Sequence, residues 1–95
     1  MFQVAWIKSD SRAILAIHTH MVAHNSRLSV THNGHNTWKL HVSNVQKNDS
    51  GTYMCQVNTD PMRSQVRQQF YMYYTFMYSN IERHVEQRIV MQLKV

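Results

Sequence analysis

The side chains with the widest chemical reach in this 95-residue chain are seven histidines and a single cysteine. His18 and His20, two positions apart, would place two imidazoles on one strand face, and His24, His32 and His35 follow. That pattern invites a metal reading. Zinc, however, needs three or four converging ligands with supporting groups behind them, and no cysteine or carboxylate is spaced to join these histidines. They read as polar loop and strand residues, and no metal or cofactor is expected. Cys55 taken alone is a reduced buried thiol, a reactive thiol, or half of a bridge. It sits at an inward strand position with no basic neighbour to stabilise a thiolate, which favours a structural role over a nucleophilic one. The chain holds no G-x-S-x-G elbow, phosphate-cradling loop or paired carboxylates, so no enzyme is expected.

The formal charge is +5, from ten Lys and Arg against five Asp and Glu, with a pI near 9.7. The basic residues are scattered from Lys8 to Lys94, which aids solubility without naming a partner. Arg67, Arg83 and Arg88 lie near an aromatic run, but stacking platforms need aromatics displayed along a basic groove, so nucleic acid is not an expected partner. No stretch approaches the roughly 20 apolar residues that span a bilayer. Met1 to Lys8 has neither a basic start nor a long apolar centre, so no secretory signal is expected. Asn48-Asp49-Ser50 fits the glycosylation sequon, relevant if the parent protein is secreted.

Short strands must carry these residues. Val4 to Ile7, Ala13 to His18, Arg27 to His32, Thr37 to Val42 and Thr52 to Val57 are apolar or alternating runs, separated by polar turns. Asn33-Gly34 is a hairpin signal, because both residues tolerate positive φ. Strands of this length at this spacing predict an all-β sandwich or barrel. After Gln65 the composition shifts. Six of the ten aromatics fall between Phe70 and Tyr78, which suits a strand. Ser79 with Glu82 has capping-box form, and Ile81, Val85, Ile89 and Leu93 recur every fourth residue, which predicts a short amphipathic helix from Asn80 to Leu93.

The run Asp49-Ser50-Gly51-Thr52-Tyr53-Met54-Cys55 has the form D-x-G-x-Y-x-C. It resembles the turn into strand F of immunoglobulin domains, where the tyrosine hydroxyl bonds back to the turn backbone. In that resemblance Trp6 is the buried tryptophan of strand C, Trp38 to Val42 is strand E, Arg27 opens strand D to pair with Asp49, and Gly51 takes a shape that a side chain would hinder. The segments 4–7, 14–20, 27–32 and 53–62, above all Asn58-Thr59-Asp60-Pro61-Met62, are similar to the first immunoglobulin domain of insect Dpr-interacting proteins, within the lachesin-like neuronal surface proteins.

The resemblance implies a partial variable-type immunoglobulin sandwich over residues 1–65, strands C to F/G, with strands A and B and the partner of Cys55 missing. One sheet would keep only two strands and an open edge. Residues 66–95 would form a tail outside the pattern, and the chain would be a truncated product. The implied function is cell-surface recognition and adhesion, binding other immunoglobulin-superfamily proteins or itself during neuronal wiring and synapse formation, in a membrane-attached parent. The alternative is a nonfunctional or intracellular basic fragment. If Val4, Trp6, Tyr53, Cys55 and Val57 point inward, alternation turns Ala5, Ile7, Met54, Gln56 and Asn58 outward as a partner-binding patch, with Ile14, Ala16 and His18 adjoining.

Overall fold

The computed structural model describes residues 2–59, 65–72 and 88–94. Its strands are β1 (Phe2–Lys8), β2 (Ala13–Ile17), β3 (His20–Met21), β4 (Leu28–His32), β5 (Thr37–Val42), β6 (Gly51–Thr59), β7 (Gln65–Met72) and β8 (Ile89–Lys94). They form a five-stranded sheet, β3-β2-β1-β6-β7, and a three-stranded sheet, β4-β5-β8. Every pairing is antiparallel. A 3-10 turn, Lys47–Asp49, leads into β6.

Period-two alternation generates the sandwich. Val4 and Trp6 of β1 and Tyr53, Cys55 and Val57 of β6 face Trp38, Leu40 and Val42 of β5 and Met91 and Leu93 of β8 in one core cluster. Trp6, Leu40 and Cys55 are completely buried. Fully burying an aliphatic or aromatic side chain of this size contributes about 1.5–3 kcal/mol, so the core is the main stabilising term. The turn between β4 and β5 is held by Asn33, whose Oδ1 accepts the backbone N–H groups of His35, Asn36 and Thr37 at 2.8, 3.0 and 3.1 Å. Gly34 there has φ of +80°.

Two expectations about the tail are corrected. The boundary after Gln65 does not divide the fold: β7 pairs with β6 from Gly51↔Met72 to Asn58↔Gln65, and Met72 joins the core. Nor are residues 89–93 helical. β8 pairs with β5 from Thr37↔Lys94 to Val42↔Ile89 and fills the edge expected to lie open. The four-residue recurrence of Ile89 and Leu93 is equally compatible with a strand, and Met91 between them decides it, since only a two-residue period buries it beside Leu93. The remainder of the expected helix, 80–87, lies outside the described residues.

Candidate interaction face and the corner that supports it

Asp49 organises the approach to β6. Its carboxylate accepts two hydrogen bonds from the Arg27 guanidinium, at 2.5 and 2.8 Å, and the backbone N–H of Gln46 at 2.7 Å. Its carbonyl accepts the Tyr53 hydroxyl at 2.5 Å. Burial opposes the charge on Asp49, but the Arg27 hydrogen bonds, the Gln46 N–H and the Arg27 charge outweigh it and hold the carboxyl below its ordinary value. Arg27 is shifted up, chiefly by the same hydrogen bond. Burial, reinforced by the Asp49 and Asp10 charges, pushes the Tyr53 hydroxyl up to about 12. Gly51 follows with φ of +139°, and a Cβ there would stand 2.2 Å from Asp10 Oδ2. Lys8 closes this end, donating to both Asp10 oxygens at 3.1 Å and to the Ser50 carbonyl at 3.3 Å. Trp6 stands directly opposite Cys55 across β1 and β6, with the Phe70 ring 5.6 Å away. The Cys55 thiol is free, and burial pushes it up to about 12, so it is an un-ionised core group.

This corner fixes the register of β6 against β1, and the register lays out the opposite side of the sheet. Ile7 pairs with Met54, Ala5 with Gln56 and Gln3 with Asn58. Ile14 extends the first of these rows and Ile17 the second. Ile7, Ile14, Ile17 and Met54 all lie outside the packed core, and Ile14 is 49% exposed. On the far side β7 contributes Gln69 opposite Met54, Arg67 opposite Gln56 and Tyr71 opposite Thr52. The result is an apolar centre with amide, hydroxyl and guanidinium groups at its margin. Asn48 is exposed in the 3-10 turn, at one end of the sandwich.

Two residues expected on this surface are elsewhere. Ala16 is fully buried. The pairing Trp6↔Ala16 followed by Ile7↔Ile14 leaves Leu15 as the extra residue of a β-bulge, so Leu15 and Ala16 both point inward and the alternation restarts. His18 has φ of +54°, just past the end of β2, and its half-buried ring lies 5.6 Å from Trp38 of the other sheet. It therefore shares no strand face with His20. Ile17 and Tyr71 were missed. A bulge leaves no mark in the apolar run from Ala13 to Ile17, whereas Phe70-Tyr71-Met72 does alternate and would have located Tyr71 once β7 was paired with β6.

The immunoglobulin-domain model matches residues 1–68, most of the sequence. The chain belongs to the immunoglobulin-domain family. Among solved structures it is similar to the crystal structure of Dpr1 IG1 bound to DIP-eta IG1, with 34% identity and a TM-score of 0.69 over 78% of this chain and 68% of that one. It is also similar to Dpr11 IG1 bound to DIP-gamma IG+IG2, at 36% identity and TM-score 0.67, over 76% of this chain and 35% of that one. A third likeness is Dpr2 Ig1-Ig2 in complex with DIP-Theta Ig1-Ig3, at 38% identity and TM-score 0.66, over 75% and 23%. The chain thus spans about a third or less of the longer, multi-domain relatives. No curated protein matches it. It is a recognition domain of the immunoglobulin superfamily and not an enzyme. No helix among the described residues is long and apolar enough to cross a membrane.

Proposed function

We propose that this domain is a cell-surface recognition module that binds other immunoglobulin-superfamily proteins, a second copy of itself included, through the outer face of the five-stranded sheet. Its role is to match neuronal partners during wiring and synapse organisation, as part of a membrane-attached parent carrying a glycan on the exposed Asn48. The observation that carries the reading is the unbroken apolar row Ile14, Ile7 and Met54, three adjacent strands deep and outside the core. Neighbouring apolar side chains on a sheet face, rimmed by Gln56, Asn58 and Gln69, are the composition of an interface centre rather than of ordinary surface. The structural neighbours, which are Dpr and DIP immunoglobulin domains in complexes, support the choice of partner class.

Substituting Ile7→Asp or Met54→Asp should weaken binding to an immunoglobulin partner by more than about 1 kcal/mol if these are central anchors. Surface plasmon resonance against candidate partners and against the chain itself reads this directly. Unchanged affinity in both variants would reject the face.

A further inference from the structure

The other sheet presents different chemistry to solvent. Its register sets Ser29, His41 and Val90 in one outward row and Thr31, Lys39 and Gln92 in the next, with exposed Lys94 opposite the buried Thr37. Lys39 and Lys94 are diagonal neighbours, within reach of a single ligand. The two acids among the described residues, Asp10 and Asp49, are engaged by Lys8 and Arg27 and lie on neither β4, β5 nor β8. At the β4–β5 end a cavity of about 210 Å³ is lined by Thr31, His32, Asn33, Thr37 and Lys39. Its walls are fixed. Asn33 is held by three backbone N–H groups, the His32 ring stacks on Trp38 at 3.8 Å and 6°, and Thr31 Oγ1 meets His41 Nε2 at 2.8 Å.

We propose that this cavity and the Lys39–Lys94 face bind a sulfated polysaccharide. Ammonium groups that no carboxylate faces among the described residues supply the attraction to sulfate. The Thr31 hydroxyl and the Asn33 amide N–H groups are of the kind that recognise sugar hydroxyls. The same face lacks what other polyanions need. Trp38, beside the cavity, is buried and offers no surface for base stacking, and among the described residues Val90 is the one large apolar residue exposed on this face, where a membrane would need several.

The test is calorimetric titration of the full chain with a heparin-derived oligosaccharide at low and physiological salt. Lys39→Glu and Lys94→Glu should each weaken binding about tenfold. Both variants should retain the native tryptophan fluorescence. Ile7→Asp, on the opposite sheet, should bind the oligosaccharide unchanged, which separates this proposal from the partner interface. Equal binding of the desulfated oligosaccharide, indifference to Lys39→Glu, or comparable binding to phosphatidylserine vesicles or duplex DNA would each overturn it.

Discussion

The two sheets share one core and diverge completely on their outer sides. The five-stranded sheet turns Ile7, Ile14, Ile17 and Met54 away from the core, while the three-stranded sheet turns Thr31, Lys39, His41 and Lys94 away from it. Inward residues obey a single demand, apolar volume, so both sheets look alike from within. Outward residues are released from that demand and report what each surface meets. A sandwich of this size thereby offers two independent surfaces, one suited to burying area against a folded partner and one suited to charge and hydroxyl recognition.

The shared core is the claim easiest to break. Leu40→Ala in the three-stranded sheet should cost about 2–5 kcal/mol and Trp6→Ala in the five-stranded sheet about 3–5 kcal/mol, each within one cooperative urea transition. Two separate transitions, or a tolerant site in either sheet, would show that the layers are not one unit. The Arg27–Asp49 pair ties β4, in one sheet, to the turn that enters the other. Arg27→Met should cost about 3 kcal/mol at neutral pH, because a buried carboxylate is left uncompensated. The wild-type carboxyl is held below its unfolded value near 4, so its stabilisation is complete above that value and is lost as pH falls through the lower, folded one. The gap between wild type and variant should therefore narrow in acid, as denaturation curves at several pH values will show.

Alkaline pH sharpens the contrast, because both groups with strongly raised values, Tyr53 and Cys55, belong to β6 in the five-stranded sheet. Each remains neutral in the fold up to about 12. Stability is full below the unfolded values, about 8.5 for the thiol and about 10 for the phenol, and falls as pH rises through that window toward 12. Cys55→Ala should postpone the start of this decline to the phenol's range while lowering neutral stability through the cavity it leaves. Chemical denaturation across the alkaline limb measures both effects.

Much of this was legible in the sequence. The Asp49-to-Cys55 motif located the corner, because each of its positions has a local physical reason: a carboxylate for Arg27, a glycine for positive φ, a tyrosine for the backbone carbonyl. Alternation correctly oriented β1 and β6. It failed at Ala16 because a bulge is a matter of pairing between strands, invisible in one strand's apolar run. It failed again at residues 89–93, where an apolar residue every fourth position satisfies helix and strand alike until a neighbour is known. His18 was misplaced because a single left-handed residue turns the chain.

β8 closes its sheet against β5 across more than fifty positions of sequence, as the pairing of Thr37 with Lys94 shows. Until residues 89–94 arrive, the backbone amides and carbonyls on that side of β5 have only water to bond, and Leu40 lacks its cover from Met91. Before β8 docks, the described part of this sheet is the β4–β5 hairpin. An unrelated strand can then compete for the place beside β5, and the speed with which β8 docks decides between folding and aggregation.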